Sequence, residues 1–298
     1  MQFPGYIYLI IIYLIWGTTY LAMRIGVAPH SGFPVFAFGA ARCLVAAVLL
    51  LGFAKLRSRS IRPSRAEMAY LAFTGLGMWT FSHAMVLVAE QFMDSGFSAV
   101  AVATSPLWVW ILGSWMDKTK PDWGHGLFVG IGFVGIAALM LPKLQTTTTT
   151  NLLSVVLLIL SPAIWAYCAL YVRKNPQTLS ILTQSGYQQL FGGMGFLAFS
   201  MLFREPLPRP TAAAWGALGF LVVFGSIIAF TAYIKALSLL PAHIVTTNTY
   251  VNPVIAVILG WMILKESVNI WMLVAIVLVI ISIAGTLKLS GAKAAKTR

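Results

Sequence analysis

Long apolar segments alternate with short polar ones along the whole chain, and each apolar segment is long enough to form a membrane-spanning helix. Ten such spans are predicted, at residues 5–27, 33–54, 67–89, 95–116, 123–141, 152–172, 179–203, 212–237, 242–264 and 268–287. The seventh is the least regular, because three glutamines interrupt it. The pattern therefore predicts an all-α membrane protein with ten transmembrane helices.

The ninth span contains hydroxyl and amide side chains together with a proline. Pro253 has no N–H and frees the carbonyl one turn earlier. The fourth span has the same signature, since Pro106 precedes Gly113 just as Pro253 precedes Gly260. Two broken helices at corresponding positions are typical of a transport site. We therefore predict helix breaks at both prolines.

The likeness between these two spans extends to the two halves of the chain. An offset of 147 relates Pro106 to Pro253, and an offset of 149 relates Trp16 to Trp165. Each half holds five spans, an odd number, so the second half crosses the membrane in the opposite direction. We predict two inverted five-helix repeats at 1–144 and 152–288, with a linker at 145–151 and a basic cytoplasmic tail at 289–298.

The cations are distributed unevenly between the two faces of the membrane. With the amino terminus inside, the inner loops and the tail carry thirteen Lys and Arg residues and the outer loops carry four. This asymmetry follows the positive-inside rule, and predicts a multi-pass protein of the cell (inner) membrane with both termini cytoplasmic. Arg24 and Lys235 lie near helix ends, where we expect their charges to reach the interface.

The composition excludes a soluble domain, because 59% of the 298 residues are hydrophobic and only 9% are charged. The net charge of +13 does not indicate nucleic acid binding, since the cations lie in loops between apolar spans. The expected partners are the lipid bilayer and a small-molecule substrate, and the protein is expected to be a monomer or a homodimer.

Arg42 is the strongest single candidate for a binding residue. It lies near the middle of the second span, where a charge costs about 2.5–3.5 kcal/mol on insertion scales. It must therefore face the interior of the bundle. Its functional interpretation is the counter-ion of a substrate carboxylate, and the structural alternative is that it binds carbonyls freed in a broken helix.

Trp79, His83 and Glu90 share one face of the third span. His83 exchanges protons near neutral pH in many proteins, so His83 and Glu90 are candidates for proton coupling. The alternative makes His83 a hydrogen-bonded interior residue and Glu90 a solvated charge at the helix end. Trp79 is a candidate for contact with the substrate.

Three further pairs are candidates for the wall of a cavity. Trp16 and Trp165 are related by the repeat and lie near mid-depth, where they could enclose a ligand or simply pack. Two amide pairs, spaced four residues apart, each share a helix face: Asn248 with Asn252, and Gln184 with Gln188. Such ridges suit a hydrated cavity, or hydrogen bonds between helices that contribute about 0.6 kcal/mol each.

Three stretches resemble a known family. They are IWGTTYLAMRIG at 15–26, FGSIIAF at 224–230 and YVNPVIAVILG at 250–260. Together with the duplicated halves, they resemble the drug/metabolite transporter (DMT) superfamily in its ten-helix EamA branch, over about residues 10–287. The resemblance implies a secondary carrier, usually an exporter of amino acids or other small organic solutes, that works by alternating access through a central cavity.

Other classes of function fit the sequence less well. A pump driven by ATP would need a Walker motif, which is missing. An intramembrane enzyme would need clustered carboxylates for Mg²⁺, whereas Asp94, Asp117 and Asp122 are scattered among loops. We therefore predict a transporter that is not an enzyme and has no cofactor or metal. An uptake carrier or a facilitator for the same solutes remains the alternative.

Overall fold

The computed structural model describes residues 3–57, 60–119, 123–144, 149–246 and 248–296. Within these ranges the regular structure is helical, which confirms the predicted all-α membrane fold. We number the helical spans α1 (Phe3–Val27), α2 (Val35–Leu56), α3 (Arg65–Glu90), α4 (Ser95–Met116), α5 (Trp123–Leu144), α6 (Thr149–Lys174), α7 (Ile181–Leu202), α8 (Ala212–Leu239), α9 (242–264) and α10 (Ile270–Lys296).

Six of the described helices are long and apolar enough to cross a membrane, namely α1, α2, α3, α4, α6 and α8. Helix α7 forms despite its glutamines because they find partners inside the protein. Gln188 Nε2 donates to Thr74 Oγ1 at 2.9 Å, and Gln189 Nε2 donates to the Ser226 carbonyl at 2.8 Å. Buried amides that are hydrogen-bonded in this way do not prevent a helix from lying in the bundle.

The two halves are built alike. Helices α3 and α8 each contain a π-helical stretch, Leu76–His83 and Leu221–Ala229, and helices α4 and α9 are each interrupted. Helices that correspond in the two halves also make corresponding contacts. Helix α1 lies against α8 and α9, while α6 lies against α3 and α4. The related pairs α2 with α7, α4 with α9 and α5 with α10 pack on each other. A central space is therefore enclosed by helices from both repeats.

The interruption of α4 lies next to its proline, whereas the interruption of α9 lies several residues before its proline. In α4 the first piece ends at Val102 and the second begins at Ser105, so Pro106 lies in a first turn, where its missing N–H costs nothing. In α9 the first piece ends at Val245 and the second begins at Asn248, so Pro253 lies inside the second piece. The break predicted at Pro253 is therefore displaced toward the amino end.

Local hydrogen bonds accompany the interruption. The carbonyl freed by Pro253 belongs to Thr249, one turn earlier. The Thr249 hydroxyl and its N–H both donate to the Thr246 carbonyl, at 2.8 and 3.1 Å. Side chains that bond their own backbone in this way compete with a continuous helix. The ninth span is therefore interrupted at the threonines.

The predicted boundaries between the halves fall partly on helices. Of the proposed linker 145–151, residues 145–148 lie outside the described residues, and Thr149 already begins α6. The proposed tail 289–298 continues α10 as far as Lys296, and residues 297–298 lie outside the described part of the chain.

Charged side chains bind the ends of several helices. Glu205 accepts the N–H groups of Phe36 and Ala37 at the start of α2, both at 2.8 Å. Arg24, which is partly buried, donates to the carbonyls of Glu90 and Gln91 at the end of α3. Anions at helix starts and cations at helix ends complement the helix dipole.

Candidate functional site

A cavity of about 90 Å³ lies between the two halves. Its walls come from α1, α2, α3 and α4 of the first repeat and from α6, α8 and α9 of the second. No acidic side chain is among its described lining residues. Seven of the nine predicted substrate-binding residues line it: Trp16, Arg42, Trp79, His83, Trp165, Asn248 and Asn252.

Arg42 is the charged residue of this cavity, and only 2% of it is exposed. Its Nε donates to Ser226 Oγ at 2.9 Å, and its Cζ lies 5.0 Å from the centre of the Trp79 ring. Gly225 makes room for the guanidinium, because a Cβ at that position would lie 2.9 Å from Arg42 Nη2. Arg42 is therefore held by side chains, and the structural alternative of bonds to freed carbonyls is not what the geometry shows.

The contact between Arg42 and His83 defines the protonation of the histidine. Arg42 Nη1 lies 2.7 Å from His83 Nε2. A guanidinium has donors only, so Nε2 must accept and carries no hydrogen in this arrangement. A second proton on His83 would place two cations in contact. Neutral His83 thus orients Arg42 and leaves the rest of the guanidinium fork available to an anion.

Aromatic rings form one side of the cavity. The rings of Trp16 and Trp165 meet edge to face at 5.8 Å, and each also packs against Tyr233. Trp165 Nε1 donates to the Tyr233 hydroxyl at 2.9 Å. Trp79 continues the aromatic side, with its ring 6.2 Å from that of Trp165. The repeat-related tryptophans therefore belong to one aromatic wall.

The interrupted helices supply the polar side of the cavity. Asn248 and Asn252 of α9 line it together with Ser105, which lies where α4 resumes. The side chain of Asn252 is buried, and within the described structure its Oδ1 has no hydrogen-bond partner. A buried acceptor without a donor is costly. This oxygen is therefore ready to accept a hydrogen bond from a ligand.

Gln184 and Gln188 lie apart from the cavity. Gln188 is fully buried where α7 packs against α3. The two helices approach so closely that a Cβ added at Gly75 would lie 2.4 Å from the backbone carbonyl oxygen of Gln188. Gln184 Nε2 donates to the Leu179 carbonyl at 2.8 Å. Gln188 therefore makes the hydrogen bond between helices that the structural alternative described, through Thr74. Gln184 instead bonds the segment that leads into its own helix. Pro106 and Pro253 do not line the cavity, but their neighbours Ser105 and Asn252 do.

Glu90 is buried and does not line the cavity. Its exposure is 0%, and neither carboxylate oxygen has a hydrogen-bond partner among the described residues. The interpretation of Glu90 as a solvated end charge is therefore wrong, because Arg24 and the surrounding helices cover this end of α3. It lies two turns beyond His83, so the structure does not join the two proposed coupling residues.

Among the residues that the sequence did not predict, two hold key side chains of the site in place. Ser226 bonds Arg42, and Tyr233 bonds Trp165. Both lie in the apolar eighth span, where a single serine or tyrosine gives no pattern. The available signal was the FGS sequence at 224–226, in which Gly225 and Ser226 together form the seat of Arg42.

Comparison with known proteins agrees with this architecture. The EamA-like transporter family matches residues 3–141 and, separately, residues 152–288. The Escherichia coli (strain K12) uncharacterized inner membrane transporter YedA is 34% identical over 254 residues, which cover 84% of this chain and 79% of that protein. The Bacillus subtilis (strain 168) uncharacterized transporter YoaV is 21% identical over 258 residues, which cover 86% of this chain and 87% of that protein.

A solved crystal structure has the same fold, with a TM-score of 0.71 over 97% of this chain and 98% of that chain at 16% identity. The relatives are named as membrane transporters, and the resemblance to the EamA branch of the drug/metabolite transporter superfamily is confirmed. The chain therefore belongs to the EamA-like transporter family.

Proposed function

We propose that this membrane transporter is a secondary carrier that exports small organic solutes, namely amino acids or related metabolites and drugs. The observation that carries the proposal is Arg42, a buried cation in a cavity whose described walls hold no carboxylate. An uncompensated buried charge is costly. A substrate carboxylate would supply the missing negative charge and bind the guanidinium through two parallel hydrogen bonds.

The rest of the cavity suits an amino acid. Trp16 and Trp165 line the cavity and would contact an apolar or aromatic side chain, and a tryptophan ring also attracts an ammonium group. Asn252 Oδ1 is a free acceptor for that ammonium within the described structure. Carboxylate, ammonium and side chain would each have a separate part of the wall.

The small size of the cavity and two contacts between the halves support alternating access as the mechanism. About 90 Å³ is well below the roughly 300 Å³ at which ligand pockets begin, so the cavity must open to admit a solute. The halves are joined at both ends of α4. Glu266 accepts from Ser95 N and Oγ at 3.0 and 2.8 Å at one end, and Lys174 pairs with Asp117 at the other.

These two contacts would be the outer and inner closures of the transport cycle. Each joins one repeat to the other, so the cavity can open to one face while the opposite contact stays formed. The orientation that we propose, with both termini cytoplasmic in the inner membrane, rests on the distribution of loop cations. Export is the direction that the family resemblance implies.

The proposed function is tested with the purified full-length chain. Thermal unfolding would be measured with a panel of amino acids, amines and nucleosides, and each amino acid would be paired with its carboxamide. We expect amino acids to raise the Tm and their carboxamides to raise it less, because Arg42 recognises the carboxylate. Stabilisation by amines, with none by carboxylates, would contradict the proposal.

A further inference from the structure

A second space lies at the end of the bundle near the α6–α7 loop, and it shares no lining residue with the central cavity. This groove has a volume of about 650 Å³ and runs between the loop and the last turns of α8. We call it the basic groove, because its walls include Arg173, Lys174 and Lys235 and, among the described lining residues, no acid.

The three cations differ in how they are used. Arg173 Nη1 donates to the carbonyls of Leu237 and Leu240, at 2.9 and 2.7 Å, and so holds the end of α8. Lys174 is paired with Asp117. Lys235 is partly buried one turn before the end of α8, and its ammonium has no bonding partner in the described part of the protein. The ammonium of Lys235 is therefore available to an anionic ligand.

The repeat provides an internal comparison. At the offsets that relate the halves, Arg173 corresponds to Arg24, Lys174 to Ile25 and Lys235 to Val88. Arg24 binds the end of α3 just as Arg173 binds the end of α8. The arginine is therefore part of the fold in both halves. The two lysines are replaced by apolar residues in the other half, so the fold does not require them.

The corresponding groove on the opposite face has a different character. It is lined by Val88 in place of a lysine, and its lining includes an acid, Glu205, as well as Arg209. Of these two grooves, as lined by the described residues, only the basic groove has an excess of positive charge without an acid. In the proposed orientation this is the cytoplasmic face, which also carries the basic α2–α3 loop.

We propose that the basic groove binds the phosphate headgroup of an anionic phospholipid from the cytoplasmic leaflet. Lys235 and Lys174 supply the positive charge, and the amino end of α7 at Ile181 adds the positive end of a helix dipole. Leu179, which is partly exposed, provides an apolar wall for the glycerol and the first acyl carbons. A free phosphate has the same charge but makes no use of that wall.

The test uses the purified full-length chain in detergent and measures its thermal unfolding. Dioleoylphosphatidylglycerol is the anionic probe, dioleoylphosphatidylcholine is the zwitterionic control, and inorganic phosphate is the free-phosphate control. We expect phosphatidylglycerol to raise the Tm by several degrees more than either control. The Lys235→Val variant, which carries the residue of the opposite groove, should lose that difference.

Two further variants make the test specific. Lys55→Gln removes the same charge from the end of α2, outside the groove, and should keep the wild-type response. Lys174→Gln removes a lysine of the groove, and its partner Asp117 stays exposed to solvent, so the fold should tolerate the change. This variant should retain fewer phosphatidylglycerol molecules in native mass spectrometry. The proposal would be overturned if phosphatidylglycerol raised the Tm of Lys235→Val as much as that of the wild type and Lys174→Gln retained as much of the lipid. It would also be overturned if inorganic phosphate raised the Tm as much as phosphatidylglycerol does.

Discussion

Replacement of Gly225 by alanine moves the guanidinium of Arg42 without removing it. The added Cβ would lie 2.9 Å from Arg42 Nη2, whereas ordinary contacts begin at 3.4 Å, so the guanidinium must shift by roughly half an ångström. The atom that must move is the end of a flexible side chain, so the fold should tolerate the change. The expected damage is to the position of the charge.

The magnitude follows from the bonds at stake. A hydrogen bond to a charged group contributes about 1.5–3 kcal/mol, and each 1.4 kcal/mol is a factor of ten in binding. If the shift costs the substrate one bond to Arg42, its Kd should rise about 10- to 100-fold. The measurement is isothermal titration of the most stabilising amino acid from the thermal screen, with transport by proteoliposomes as the second readout.

The same helix offers a matched control. Gly219 also lies in α8, and a Cβ there would have nothing within 4 Å. Gly219→Ala should therefore bind and transport as the wild type does, with equal or higher Tm, because alanine favours a helix over glycine. Equal affinity in Gly225→Ala and Gly219→Ala, at equal Tm, would refute the placement of Arg42 at the substrate.

Three other predictions concern topology, the cavity wall and energy coupling. In a background without Cys, an impermeant thiol reagent added outside cells should label Leu207→Cys and spare Arg62→Cys; the reverse would refute the orientation. Transport should fall when alanine replaces any of four wall residues, Trp16, Trp165, Asn248 and Asn252. The Tm should stay near the wild-type value for the two asparagines and fall for the two packed tryptophans, whereas Gln188→Ala should lower the Tm without affecting substrate affinity. An imposed pH gradient should drive accumulation in proteoliposomes less well in Glu90→Gln and His83→Ala, and a facilitator would instead show no accumulation in any variant.

The helices and the repeat could be predicted because their causes are local. About 20 consecutive apolar residues are needed to cross a bilayer, and the chain shows that length directly. The break in α9 lies at the threonines, where the hydroxyl of Thr249 bonds the Thr246 carbonyl, and hydropathy does not reveal that position. The side chains that share a helix face were also readable from spacing alone.

Which neighbour a face meets could not be read from spacing. Gln184 with Gln188 and Asn248 with Asn252 have the same spacing, yet only the asparagines line the cavity. The difference arises from packing, since α7 lies against α2 and α3 while α9 lies against α1 and α4. Burial of Glu90 likewise depends on Arg24, which is distant in sequence and holds the end of α3.

The central claim is that Arg42 binds the carboxylate of the substrate, and isothermal titration of the Arg42 variants tests it most directly. The titrants are an amino acid that stabilises the wild type and its carboxamide. We predict that the wild type prefers the carboxylate by about tenfold or more. Arg42→Lys should keep part of that preference, because it retains charge but not the planar fork, and Arg42→Gln should lose it. A folded Arg42→Gln variant that binds the carboxylate with wild-type preference would contradict the account.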